Sequence, residues 1–270
     1  MKTQVAHLLH RSLRYMESGS GRPLLLLHAF PLSADQWLPQ LHRVPPGWRF
    51  IAPDLRGFRG MGPAFEDLGL SRLTIDDYAD DVLDLMTHLE IEDAAVAGLS
   101  MGGYVAFAML RRAAGRVSAL VLSNTRAIAD SPQARDARAA SIALAEREGA
   151  AGIAGEMGPK LLGDSTRRGQ PDLEEAVKRL ILVNAPDAII AALGALRDRP
   201  DSTSLLSSIA VPTLVIAGDE DAIVNITESR SMQEAIPRST LVTLPRTGHL
   251  GNLEAPGPWS TAVDTFLAGL

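Results

Sequence analysis

The chain has 270 residues, 46% of them hydrophobic, enough for one large domain with a buried core and too apolar for a disordered protein. Its 26 basic and 32 acidic residues leave a net charge of −6, the wrong sign for holding nucleic acid by neutralising phosphates. The absence of cysteine excludes disulfides, thiolate chemistry and cysteine-ligated metals, and fits a reducing compartment.

In the opening residues Met1 to Arg11, His7, His10 and Arg11 interrupt the apolar core that an export signal needs. Nowhere do about 18 apolar residues run consecutively, so the expected location is the cytoplasm, with no membrane association. Val5 to Met16 reads as a hairpin at a sheet edge. Leu24 to Leu27 is a continuous apolar run suited to a strand covered on both faces, and Phe50 to Ala52 is another. The stretch from Arg56 through Gly57, Phe58, Arg59, Gly60, Met61 and Gly62 to Pro63 is glycine-rich. It lacks phosphate-loop spacing and no Lys-Ser/Thr helix follows, so it reads as a loop. From Ile75 to Leu89, Tyr78, Val82, Leu85, Met86 and Leu89 recur at the three-to-four spacing of a helix with one buried face.

The next strand, Ala94 to Ala97, runs into Gly98-Leu99-Ser100-Met101-Gly102-Gly103 and then a helix predicted over 101–113. Strand, Gly-x-Ser-x-Gly and helix in that order form the layout of a nucleophile elbow, in which a strained turn presents the serine hydroxyl and the flanking positions have room for no side chain. Ser100 is the candidate nucleophile. The Met101 amide, opening the helix, is a candidate donor to a developing oxyanion.

After a strand over Ala119 to Leu122, the rhythm breaks. From Arg126 to Thr203 the pattern is helical, with candidate helices at 132–148, 150–162, 172–184 and 186–197 punctuated by Pro132, Pro159, Pro171, Pro186 and Pro200. The segment reads as a helical cap over 126–203 inserted into a core of 1–125 and 204–270; the alternative is a set of outer helices on a larger sheet. Strands return at Thr213 to Ala217 and Thr240 to Leu244. Strands alternating with helices predict an α/β fold with a mostly parallel sheet.

A serine hydroxyl needs a base, and the base a carboxylate that holds its tautomer. Of the six histidines, His249 lies just after the last strand, in a loop at the carboxyl edge of a parallel sheet. His7 and His10 belong to the hairpin, His42 and His88 to probable helices, and His28 to the loop after the early strand, where it reads as a residue that holds the loop by hydrogen bonds. The acid comes from Asp219-Glu220-Asp221, immediately after a buried strand; Asp221 is favoured and Asp219 is its main competitor. The order Ser100, Asp221, His249 is that of the α/β hydrolases. The second oxyanion donor is expected at the Phe30 amide, because Pro31 has none.

On five ordered motifs the chain resembles the α/β-hydrolase superfamily over essentially its whole length: Leu27-His28-Ala29-Phe30-Pro31 with Trp37, Asp54-Leu55-Arg56-Gly57, Gly98 to Gly103, Gly218-Asp219-Glu220-Asp221, and Gly248-His249. It looks most like the small cytoplasmic esterases and lactonases near 3-oxoadipate enol-lactonase, with Val121 to Thr125 leading into the cap in a similar way. The resemblance implies a mostly parallel eight-stranded sheet with helices on both faces and an inserted cap. Ala29 stands where the family usually has glycine, and the cap lacks the tryptophan of a true enol-lactonase. Ser100 in place of an aspartate argues against haloalkane dehalogenase or epoxide hydrolase chemistry. Asn124, where some relatives place their acid, is no carboxylate, which favours Asp221.

The expectation is therefore a serine hydrolase of small carboxylic esters or lactones that needs no metal and no organic cofactor. Met157, Leu161 and Leu162 of the cap would wall an apolar pocket with Val224 and Leu250. Arg126 is a candidate partner for a substrate carboxylate and otherwise a surface residue. A homo-oligomer is compatible with the sequence. The rivals are a cofactor-free perhydrolase (non-haem haloperoxidase) or a carbon-carbon bond hydrolase on the same triad, and a ligand-binding receptor in which the triad is vestigial.

Overall fold

All but one of the apolar runs become strands that bury both faces: in β3 (Arg22–Leu27) the last four leucines are inaccessible, and β5 (Ala94–Leu99) and β7 (Thr213–Gly218) are buried throughout, whereas the run Thr240 to Leu244 is mostly half-buried or exposed because it has a neighbour on one side alone. The computed structural model describes residues 1–8, 11–59 and 73–270. His10 of the expected hairpin and Gly60 to Pro63 of the expected loop lie outside the described residues.

With β1 (Lys2–His7), β2 (Ser12–Gly19), β4 (Trp48–Pro53), β6 (Val117–Ser123) and β8 (Ser239–Leu244), the described residues form one eight-stranded sheet in the order β1-β2-β4-β3-β5-β6-β7-β8. The β1–β2 and β2–β4 pairings are antiparallel and the other five parallel. The expected hairpin is present, with β1 on the outer edge. The chain lays β4 on one side of β3 and then crosses to β5 on the other. The reversal of strand order therefore falls between β3 and β5, where open α/β sheets leave a crevice at their carboxyl ends.

After the short α1 (Leu38–Leu41) comes α2 (Ile75–His88), started by a capping box: the Asp77 N–H donates to Thr74 Oγ1 at 3.2 Å, and the Thr74 N–H donates to the Asp77 carboxylate at 2.8 Å. The elbow helix α3 (Met101–Ala113) is buried from Met101 to Leu110. Its close approach to the sheet explains the glycines. A Cβ on Gly98 would stand 2.3 Å from the Gly102 carbonyl oxygen, one on Gly102 2.1 Å from the Leu27 carbonyl oxygen of β3, and one on Gly103 2.5 Å from Thr125 Oγ1.

Between β6 and β7 lies the helical insertion: α4 (Pro132–Met157), α5 (Asp164–Gly169), α6 (Pro171–Leu182) and α7 (Pro186–Arg197), with α4 packed on α6 and α7. Gly149, at φ 63°, breaks α4 where two helices were expected. The expected helix 150–162 stops at Met157, since Pro159 has no N–H to continue the ladder and the chain tightens into a 3-10 turn over Gly158–Lys160. Then follow α8 (Ile226–Ala235), α9 (Gly251–Glu254) and α10 (Pro256–Ala268), the last resting Trp259 against Trp37 with ring centres 5.3 Å apart. Among the described residues no single helix is long and apolar enough to cross a membrane.

Because the Leu27 carbonyl is backbone and cannot swing aside, Gly102→Ala should lower the unfolding free energy by about 2–3 kcal/mol or more, read as an earlier urea midpoint at unchanged slope. An unshifted midpoint would show that α3 has room to move off β3.

Candidate active site

The strand register lines up the chain segments that carry the candidate residues. Leu27 pairs with Gly98, Leu99 with Ser123, Ser123 with Ile216, and Gly218 with Leu244, so the loops bearing Phe30, Ser100, Asn124, Asp221 and His249 all leave one carboxyl edge. Adjacent strands are about 4.8 Å apart, which leaves β8 three strands from β5. The loop after β8 narrows that gap by folding back over its neighbours. A Cβ on Gly218 would touch the Gly248 and Thr247 carbonyl oxygens at 2.2 and 2.3 Å, so the loop crosses directly over the end of β7. Asn124 Nδ2 donates to the Gly248 carbonyl at 3.1 Å, which brings it over β6 as well.

Ser100 sits at φ 53°, ψ −110°, a left-handed backbone that a non-glycine residue adopts only under constraint. The constraint is visible on both sides: its N–H donates to the Ser123 carbonyl at 3.0 Å, and its carbonyl accepts from Thr125 Oγ1 at 2.8 Å. The residue is partly exposed while its neighbours are buried.

His249 and Asp221 are brought together. His249 Nδ1 lies 2.8 Å from Asp221 Oδ2, and both side chains are 1% exposed. The same carboxylate accepts the Asn124 amide at 2.9 Å on Oδ2 and the Ile223 and Val224 N–H groups at 2.8 and 3.0 Å on Oδ1. Burial pushes its pKa up, but attraction to His249 and the hydrogen bonds from His249, Asn124 and Val224 outweigh it and hold the carboxyl below the ordinary 3.8. An ionised Asp221 accepts from Nδ1–H, which leaves Nε2 as the other ring nitrogen. Asp219 is exposed and receives the Thr247 N–H at 3.3 Å instead.

The segment after β3 is pinned around its donor. The Ala29 N–H donates to Gln36 Oε1 at 2.8 Å, and its carbonyl accepts from Leu32 N–H at 2.9 Å. Ala29 is not among the positive-φ residues, so its methyl is accommodated where glycine was expected. Among the described residues no hydrogen bond takes up the N–H of Phe30 or of Met101. Asp54 supports the loop from below, accepting the Ala34 N–H at 2.8 Å and Arg14 at 2.6 Å.

His28 holds the loop. Leu55 N–H donates to His28 Nε2 at 3.0 Å, so Nδ1 carries the proton and donates to the Ala29 carbonyl at 3.0 Å. A second ring proton would face the Leu55 N–H. Burial lowers the His28 pKa from 6.5 to about 4, and the ring stays neutral near pH 7.

The expected pocket residues divide. Val224, Leu161 and Leu250 are buried beside the Asp221–His249 pair, Val224 by its N–H on Asp221 and Leu250 by its N–H on the Leu161 carbonyl at 3.2 Å. Met157 packs on the core one turn before Leu161, its carbonyl accepting the Leu161 N–H. Arg126 is 20% exposed and paired within the protein, 3.4 Å from both Asp130 and Glu228, although its buried Nε has no hydrogen-bond partner among the described residues. Among the described residues no group of three or more histidine, aspartate or glutamate side chains is placed to hold a metal ion.

Two contributors escape sequence reasoning. Asn124 bridges Asp221 and the loop of His249, its left-handed φ of 47° being the kind of backbone that asparagine tolerates. Asn184, 3% exposed at the end of α6, donates to the Pro31 carbonyl and accepts from Arg59 N–H, both at 2.9 Å, tying the insertion to the loop of the expected oxyanion donor. An asparagine just past an apolar strand was a readable signal for the first; nothing local marks the second.

The alpha/beta hydrolase family matches residues 24–261. Among solved structures the chain is similar to a thermophilic esterase from Thermogutta terrifontis with malate bound, at 36% identity, a TM-score of 0.91, and coverage of 100% of this chain and 99% of that one. It is also similar to 3-oxoadipate enol-lactonase 2 of Acinetobacter baylyi, 26% identical over 95% of this chain and 93% of that protein. A third relative is the non-heme chloroperoxidase CPO-A1 of Kitasatospora aureofaciens, 29% identical over 90% of each.

The His28 pKa sets an acid limit on the fold. The folded value lies below the unfolded one, so the unfolded chain takes up the proton first; the stabilisation is complete above pH 6.5 and is lost as the pH falls toward 4. Across that window the unfolding free energy of wild type should fall by roughly 3 kcal/mol more than that of His28→Asn, measured by urea titration at each pH. Parallel pH curves for the two proteins would mean that His28 is not buried neutral.

Proposed function

The chain belongs to the alpha/beta hydrolase family, and from the site it carries we propose a serine hydrolase of small carboxylic esters or lactones, working through an acyl-enzyme. The observation that carries this reading is the 2.8 Å bond between His249 Nδ1 and Asp221, which reserves Nε2 as a base on a loop folded back toward the strained Ser100. In the proposed sequence Ser100 Oγ attacks the carbonyl carbon as His249 Nε2 takes its proton. The Phe30 and Met101 N–H groups receive the oxyanion, each such donor lowering the barrier by about 3 kcal/mol. Collapse breaks the C–O bond, and the imidazolium returns its proton to the leaving alcohol. Water, deprotonated by the same nitrogen, then releases the acid and restores Ser100.

The helical insertion over 126–203 acts in this reading as a cap that keeps water from the acyl-enzyme, with Leu161 beside Leu250 forming its apolar inner wall. The likeness to an esterase and an enol-lactonase over nearly the whole chain supports the ester or lactone class. The cysteine-free composition fits a reducing cytoplasm. The likeness to a chloroperoxidase favours one second reading, a perhydrolase reaction in which peroxide replaces water at the acyl-enzyme of the same triad.

Ser100→Ala should lower kcat by three or more orders of magnitude with little change in Tm, because a partly exposed, strained serine adds little to the core. Turnover within tenfold of wild type would refute the nucleophile. Asp221→Asn should lose at least about a hundredfold in kcat/KM and far more than Asp219→Asn; the reverse ranking would move the acid to 219. Rates on p-nitrophenyl acetate, a small lactone, and acetate with peroxide separate the two readings by kcat/KM.

A further inference from the structure

The turn that carries His249 and the insertion above it share one carboxylate. Glu254, the last residue of α9, is 6% exposed and folds back on its own chain: Oε2 accepts the N–H groups of Gly163 at 2.8 Å and Gly248 at 3.0 Å, and Oε1 that of Leu250 at 3.0 Å. Gly248 and Leu250 flank His249, so the peptides on both sides of the ring are tied to one buried group. The third bond reaches the insertion. Contact there is backbone to backbone, for a Cβ on Gly248 would stand 2.1 Å from the Gly163 nitrogen. On the other side of the same segment Glu220 accepts from Ser165 N–H at 2.7 Å and Ser165 Oγ at 2.5 Å. The insertion is thus clamped at Gly163 and Ser165 between the turn bearing the acid and the turn bearing the base.

We propose that Glu254 is the positioning residue of the base, fixing the backbone of His249 and making the insertion part of that scaffold. Asp221 sets the rotation of the imidazole ring; Glu254 sets where the ring is hung. The inference rests on Ser100 and His249 being the reacting pair. All three partners of Glu254 are N–H donors, a set that two carboxylate oxygens satisfy and an amide does not, since its NH₂ would face one of those donors. Misplacing a catalytic group by about 1 Å can cost on the order of a hundredfold in rate.

The test compares wild type, Glu254→Gln and a remote core truncation, Val263→Ala in α10, where Val263 is 1% exposed. Each is titrated to completion with a fluorophosphonate, and kcat and KM for p-nitrophenyl acetate are expressed per labelled site. Glu254→Gln should lose at least tenfold in kcat per labelled site and in labelling rate, with KM within threefold, while Val263→Ala lowers Tm and keeps wild-type turnover per site. A Glu254→Gln protein that only melts earlier overturns the inference. Should the glutamine variant not fold, Glu254→Asp, whose shorter chain cannot reach all three donors, must show at least a fivefold loss per labelled site, and wild-type turnover there also overturns it. Failure of wild type to label at Ser100 refutes the hydrolase reading itself, and the inference with it.

Discussion

The site depends on a backbone crossing. His249, the proposed base, follows β8, three strands from the strand that leads to Ser100, and side chains alone do not span that distance. The chain solves the problem by laying the Thr247–Gly248 peptides across the end of β7, so close that Gly218 has no room for a Cβ. The crossing is then secured from several directions: the Asn124 amide holds the Gly248 carbonyl, the Glu254 carboxylate holds the N–H groups on either side of His249, and Asp221 holds the ring. The strained serine is held at the other end by Ser123 and Thr125, so the residues at the end of β6 hold Ser100, Asp221 and the His249 loop together.

The same economy governs the loop after β3. Its expected contribution is one amide N–H, which is useful only where its position is set in advance, since a donor that must reorganise as charge develops loses much of its effect. Gln36, His28 and Asp54 each fix a neighbouring peptide, and Asn184 brings the insertion to bear on Pro31. His28 does this only as a neutral ring, which links the geometry of this loop to pH through burial rather than through the reacting groups.

Much of this was legible in the residues. Five of the six apolar runs are strands because a parallel sheet covered on both faces needs unbroken apolar stretches, while Thr240 to Leu244 lies in the half-exposed edge strand β8, and the glycines at 98 and 102 announce the elbow because nothing larger fits there. The Asp219-Glu220-Asp221 cluster was legible as a source of carboxylates and Asp221 was favoured among them, but the partners that set the three apart were not legible, since all three follow the same strand. Their environments differ through partners distant in sequence: Asp221 faces His249 and Asn124, Asp219 takes the Thr247 N–H, and Glu220 takes Ser165. Arg126 had the charge for a substrate carboxylate, yet what it meets is set by Asp130 and Glu228, the latter 102 residues away in the chain.

By itself the sequence determined what hydrophobic period and steric necessity write locally: the alternation of strands and helices, the serine turn, and the order of serine, acid and histidine. Tertiary structure decided which groups meet. The fold-back over Gly218, the bridging by Asn124 and Asn184, and the reach of the Glu254 carboxylate to Gly163 of the insertion depend on hydrogen bonds between segments remote in sequence. Such bonds form only after the sheet register has brought the strand ends level, and no residue pattern along the chain encodes them.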